Sequence, residues 1–188
     1  DLAGYRVYRS TSALTGFTLL ATTEATSHRD PLEGVVYYRL TALDRAGNES
    51  APSASVALPV LAPVLSGTIT GESYLVPAHS PYTLATSLTI DGGATLHILP
   101  GVVVRVAPGA EGIVVKDGRV IARGTAERRI TFTSDSARPG PGDFRSAVVI
   151  RARAGQTSAL AHVTVQHGGA GLRLERGGLE VLRAEILA

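Results

Sequence analysis

Between Leu88 and Ser134, short apolar runs with alternating polar positions are interrupted every few residues by Gly, Pro and Asp-Gly turn signals. A period of two within short runs predicts strands rather than helices. The stretch also repeats. LTIDGGATLHI (88–98) lines up with VVKDGRVIARG (114–124), so that Asp91-Gly92 falls on Asp117-Gly118. VVIRARAGQTSALAHVTV (148–165) and LRLERGGLEVLRAEI (172–186) are two looser copies of strand, polar turn and strand. A repeat of about two dozen residues holding two or three short strands is the pattern of one coil of a β-solenoid. Alternation then points Ile130 and Phe132 inward and Thr131 and Thr133 outward, with Val148/Ile150, Val163/Val165, Leu172/Leu174 and Leu179/Val181 as further inward pairs. The Gly- and Pro-rich break DSARPGPGDFR (135–145) reads as a loop projecting from one corner, a place that often carries function.

Residues 1–58 have a different rhythm. GYRVYRS (4–10), FTLLATT (17–23), VVYYRLTALD (35–44) and SASVALP (53–59) read as strands at the spacing of a β-sandwich. Residues 59–66, with Pro59 and Pro63 and no charge, read as a short stiff connection. A capping segment then leads into the solenoid, which completes a unit over residues 67–188.

GATLHILPGVVVRV, followed by GIVVKDGRVIARGTAERRITFTS, resembles the first coils of a right-handed parallel β-helix of the pectate-lyase-like type, over about residues 66 to 188. In GDFRSAVVI, Phe144 stands where that family usually has Trp, and it also fills core space. This fold hosts lyases, hydrolases, phage spikes and inert stalks, so the resemblance implies an architecture and not a reaction. GYRVYRS and TSHRDPLEGVVYYRLTALDRAGNESAPS resemble the second half of a fibronectin type III domain. Leu32, six residues before Tyr38, matches that family's tyrosine corner, in which the Tyr hydroxyl bonds backbone nearby. The resemblance implies that Tyr38, Leu40 and Ala42 face the core and Arg39 and Thr41 face outward. It begins at the family's third strand, without the first two strands and their core Trp. The expected class is all-β: an incomplete fibronectin type III-like β-sandwich joined to a short right-handed parallel β-helix.

Composition adds little and excludes more. The net charge is +2, Lys116 is the only lysine, Asn48 the only asparagine, and Cys, Met and Trp are absent. That usage fits a GC-rich genome, and without cysteine there is no disulfide framework. No apolar run reaches membrane-spanning length and no signal peptide is visible, so no membrane insertion is expected. A start at Asp1 suggests a processed product or a piece of a longer chain.

Candidate chemistry is sparse. Polysaccharide lyases of this fold use a basic general base with clustered Asp residues that bind calcium, and its glycosidases need paired carboxylates. Here Asp91 and Asp117 sit in turns and Asp135 and Asp143 flank the loop, without an Asp-Asp or Asp-x-Asp cluster. Asp91 and Asp117 read as turn formers; stacked at one corner they would make a weak cation site at most. His162 and His167 lack a Cys or carboxylate at ligand spacing and read as solvated strand-face residues. Arg105, Arg119, Arg123, Arg128, Arg129, Arg151 and Arg153 make the solenoid locally basic, but acids interleave and no aromatics accompany them, so no nucleic acid partner is expected. Of Tyr74, Tyr82 and Phe144, all read as cap or core residues. No catalytic, metal or cofactor residues emerge; the positions singled out are structural, namely Leu32, Tyr38, Leu40, Ile130, Phe132 and Phe144.

The expected function is a non-catalytic structural or adhesive module of a bacterial surface or filament-forming protein, extracellular or at the cell surface. The alternatives are a fragment of a carbohydrate-active β-helix enzyme and a glycan-binding protein. The half-built sandwich and the apolar last repeat, VLRAEILA, predict self-association or further domains of the same polypeptide as partners, with a cell-surface glycan as a further one. Strand donation between identical subunits would be open-ended and would build filaments.

Overall fold

The computed structural model describes residues 1–28, 30 and 37–187. The chain divides into two compact units, Asp1–Leu58 and Pro59–Ala188.

In the first unit, strands β1 (Leu2–Ser10), β2 (Thr18–Thr23), β3 (Tyr37–Asp44) and β4 (Val56–Ala57) form one antiparallel sheet in the order β2-β1-β3-β4. Directly opposed residues share a face, so the pairs Val7↔Leu40, Tyr5↔Ala42 and Tyr38↔Val56 place these six on one side, with Arg6, Tyr8, Arg39 and Thr41 on the other. The expected burial is inverted at two of them. Leu40 is 47% exposed, whereas Thr41 is 4% exposed. The reason lies in what covers each face. The Glu49 carboxylate accepts hydrogen bonds from Thr41 Oγ1, Tyr8 Oη and Arg6, and this cluster closes over Thr41. Against the Leu40 side no second sheet packs among the described residues, and Val56 is also exposed. Tyr38 donates its hydroxyl to Asp30 Oδ2 at 2.7 Å, and Arg9 pairs with the same carboxylate. Leu32 lies outside the described residues.

The second unit is a parallel β-solenoid of the right-handed type with five coils. Its strands are β5 (Val64–Ile69), β6 (Glu72–Leu75), β7 (Tyr82–Ile90), β8 (Ala94–Ile98), β9 (Val103–Val106), β10 (Glu111–Val115), β11 (Gly118–Arg123), β12 (Ile130–Ser134), β13 (Phe144–Arg151), β14 (Thr157–Gln166), β15 (Gly168–Arg176) and β16 (Gly178–Leu187). They stack into three ladders, each with an inward row of one residue per coil. The first row is Ile69, Ile90, Val115, Ile150, Leu174. The second is Leu75, Ile98, Ala122, Leu160, Val181. The third is Tyr82, Val104, Phe132, Val165, Ile186. In coils two to four all nine of these side chains are at most 2% exposed, and Ile130 and Phe144 are at 0%. Each large aliphatic or aromatic side chain so buried stabilises the coil by about 1.5–3 kcal/mol. Residues 59–66, read from their prolines as a connection, run along the first coil: Val60 bridges Tyr74, and Val64 and Leu65 pair with Thr83 and Leu84.

The repeat is real but its internal register is shifted. Laid out without gaps, the sequence puts Leu88 on Val114 and Ala94 on Val120; the structure puts Leu88 on Ile113 and Ala94 on Gly118. The cause is the corner between the first two ladders. It takes three residues, Asp91-Gly92-Gly93, in coil two and only Lys116-Asp117 in coil three. Gly118 makes the tighter corner feasible, with φ +144° and a would-be Cβ 2.2 Å from the Ala94 carbonyl oxygen.

Candidate functional site

The first ladder and the third meet at a corner whose connections run Ala85–Ser87, Ala107–Ala110 and 135–143 in successive coils. An open groove of about 610 Å³ lies along it, with Thr86 and Ser87, the Pro108–Glu111 turn, Arg145 and Arg151 on its walls. The Gly/Pro-rich loop beside it is held from below. Asp143 Oδ2 accepts from Ser134 Oγ at 2.7 Å and from the Gly140 amide at 3.1 Å, and the Gly109 amide donates to the Asp143 carbonyl. The Ser134 bond, followed by the Gly140 amide, lowers the Asp143 pKa.

Four charged side chains on the outer face of the first ladder close into a ring. Arg151 Nε lies 2.7 Å from Glu175 Oε2, and Arg173 Nη2 contacts Glu175 Oε1. Both guanidinium groups also reach Glu111 Oε1, at 3.7 Å each. Glu111 belongs to coil three, Arg151 to coil four, and Arg173 and Glu175 to coil five, so the ring straps three coils together. Hydrogen bonding from Arg151 holds Glu175 below the usual glutamate range. Glu175 is thereby hydrogen-bonded to its guanidinium partner, whereas Glu111 meets both guanidinium groups at the longer distance. Arg145, on the groove wall, is exposed and has no side-chain partner among the described residues.

A second cluster lies on the outer face of the second ladder. Tyr74 and His97 stack at 4.5 Å with an interplanar angle of 8°. Tyr74 donates its hydroxyl to Glu72 Oε1 at 2.8 Å, and His97 Nε2 lies 3.0 Å from the same oxygen. Burial first, then Glu72, pushes the Tyr74 phenol up to about 12. Burial likewise lowers the His97 pKa, against the pull of Glu72. Tyr74 is therefore a half-buried outer-face residue and not a core one, since it precedes Leu75 of the core row by one position and pairs with His97. Tyr82 is fully buried, its hydroxyl bonding the backbone of Val76.

The remaining candidates separate. Asp91 Oδ1 caps the Gly92 amide within its own turn, and Asp117 is held by Gln156 Nε2 at 2.7 Å and faces Arg153 at 3.5 Å. His162 and His167 are not strand-face residues. Both have left-handed backbone, φ 49° and 64°, at corners of coil four, and His167 Nδ1 lies 3.1 Å from Thr133 Oγ1. Among the described residues no three His, Asp or Glu side chains gather to hold a metal. No local motif announces the Glu111–Arg151–Glu175–Arg173 ring, because its members stand 64 residues apart along the chain at the extremes and meet only through coil stacking.

Comparison with family models finds the pectate-lyase like beta helix domain, matched over residues 67–186. No match was found among curated proteins or solved structures. The matched segment is well over half of the chain and coincides with the stacked coils, so this chain belongs to the pectate-lyase-like β-helix family.

Proposed function

We propose that the chain is a non-catalytic structural or adhesive module of a bacterial surface protein, displayed outside the cell, in which a fibronectin type III-like half-sandwich accompanies the β-helix. The observation that carries this reading is the ionic ring. A glycosidase needs one carboxyl protonated and another free to act as base or nucleophile. Glu111, which lines the groove, and Glu175 are each ion-paired to both Arg151 and Arg173. In Glu175 this pairing favours the ionised form and engages both carboxylate oxygens in hydrogen bonds from Arg151. Incubation with a panel of neutral and acidic polysaccharides is expected to release neither reducing ends nor unsaturated sugars. Product release that Glu111→Gln abolishes would overturn the reading.

A second reading, glycan binding without turnover, is favoured by one feature. The unpartnered Arg145 guanidinium and the hydroxyl-bearing Thr86 and Ser87 line the same groove. Retention on an acidic polysaccharide matrix that is lost in Arg145→Ala would support it.

A further inference from the structure

The edge of β6 that does not face β8 is covered by a strap, residues 59–61, with which the second unit opens. Tyr74 holds the strap with both of its backbone groups. Its N–H donates to the Pro59 carbonyl and its carbonyl accepts from the Leu61 N–H, both at 3.0 Å, and Val60 bridges the same residue. Leu61 in turn packs on the core. His79 adds one contact, its Nδ1 lying 3.2 Å from the Leu61 carbonyl, which a neutral or a charged imidazole can make by donating.

The side chain of Tyr74 is fixed from coil two. Its ring lies against that of His97, and both side chains converge on Glu72 Oε1. An ionised carboxylate only accepts, so His97 Nε2 carries the proton in that contact and Nδ1 holds the lone pair. A second proton would enter at Nδ1, and the strands on either side of β8 treat it differently. β6 offers Glu72. β11 sets Arg119 and Arg123 on the same outer face, one on each side of Ile121, the residue directly opposite His97. Arg119 leans back toward β8, its Nε donating to Thr95 Oγ1 at 3.1 Å. Only 26% of the His97 side chain is exposed, so water screens an added charge poorly. Burial, the largest influence, and the two guanidinium groups together outweigh Glu72, and the His97 pKa is lowered. What neutral His97 contributes is therefore complete above its ordinary value of 6.5 and is lost as pH falls through the lowered one.

We propose that the Tyr74–His97 stack is an acid-sensitive clasp: neutral His97 keeps Tyr74 seated under the strap, and protonation of His97 unseats Tyr74 and frees residues 59–61 from the first coil. The clasp neither requires nor excludes glycan binding, so it stands apart from the function proposed above.

Amide hydrogen exchange of the 188-residue chain tests it. The probes are Tyr74 and Leu61, whose N–H groups make the two strap bonds, with Ala107, bonded to the Leu84 carbonyl at 2.9 Å, as the reference. Histidine changes charge between about pH 7.5 and 5, whereas most glutamates stay ionised there. Over that range, protection at Tyr74 and Leu61, corrected for the intrinsic pH dependence of exchange, is expected to fall at least about threefold while Ala107 holds. His97→Gln, whose amide can still donate, should give a flat profile at both probes. Arg119→Gln combined with Arg123→Gln keeps the imidazole but removes the like charges, and it should shrink the loss. Flat protection in the wild type overturns the proposal, as does a loss that persists in His97→Gln, which would place the titration on His79 or elsewhere. A loss unchanged in the arginine double variant, or an equal loss at Ala107, overturns it too.

Discussion

Phe132→Ala tests whether the stacked apolar rows hold the solenoid together. Phe132 is 0% exposed, sits on β12 between Val104 and Val165 of the neighbouring coils, and belongs to the main core cluster. Removing its ring takes away the transfer free energy of a large side chain and leaves a cavity that flanking coils, pinned by backbone hydrogen bonds on both sides, cannot collapse into. The combined loss for a buried Phe is about 3–5 kcal/mol. At about 0.05–0.15 kcal/mol per residue, the 130-residue solenoid unit has a total stability of about 6–20 kcal/mol, so one substitution removes a large share. The neighbouring Thr133 points outward and is half-buried, and Thr133→Ala is expected to cost less than about 1 kcal/mol through its hydroxyl contact with His167. Urea unfolding followed by far-ultraviolet circular dichroism measures both; with no Trp in the chain, tyrosine fluorescence is the second probe. Coincidence of the two probes establishes a single transition before any free energy is extracted. If Phe132→Ala unfolds within about 0.5 kcal/mol of the wild type, or if Thr133→Ala costs as much as Phe132→Ala, the inward assignment of the row is wrong.

Three further outcomes follow from particular contacts. Gly118→Ala places a Cβ on the Ala94 carbonyl and forces φ +144° on an L-residue, so it should lower the urea midpoint more than Gly142→Ala, whose Cβ meets open space at φ +77°. Glu175 has a folded-state pKa below its ordinary value of 4.5; its contribution is present above that value and lost as pH falls through the lowered one, so acid should reduce stability less in Glu175→Gln than in the wild type, and added salt should shrink the difference. The Tyr74 phenol, raised to about 12, should titrate nearer its ordinary range in Glu72→Gln, read by carbon NMR of the tyrosine ring; an unchanged value would remove Glu72 as a cause and leave burial alone.

The strand content and the coil repeat were legible because both depend on periodicity within a few residues. Ile130-Thr131-Phe132-Thr133 announces its inward and outward faces directly, and the structure places the four residues in alternating buried and half-buried positions. Register between coils was not legible. It depends on how many residues a corner consumes, and Asp91-Gly92-Gly93 and Lys116-Asp117 both satisfy the same turn chemistry at different lengths. A one-residue slip exchanges the faces of a strand, so aligning Leu88 with Val114 set an inward residue on an outer one. Leu40 was misjudged for a different reason. The sequence pattern marks an apolar face correctly, but burial also requires something to pack against it, and no sequence pattern in β3 records whether the opposing sheet is present.

The site was less legible than the fold, and the reason is geometric. In a solenoid, residues that face one another across coils are separated in sequence by the whole circumference, which here varies with every loop. Glu111 and Arg151 are 40 residues apart and Arg151 and Glu175 are 24 apart, since the 135–143 loop lengthens one coil and not the next. Motif reading works when the chemistry is held by one turn, as in a phosphate loop or a paired-cysteine knuckle; it fails when each coil contributes a single side chain. Scattered acids such as Asp91, Asp117 and Asp143 were therefore weak evidence in either direction until their partners were seen. The structure gives each a local partner: a backbone amide for Asp91, Gln156 for Asp117, and Ser134 with Gly140 for Asp143. Each of these three carboxylates fastens a turn or joins one coil to the next.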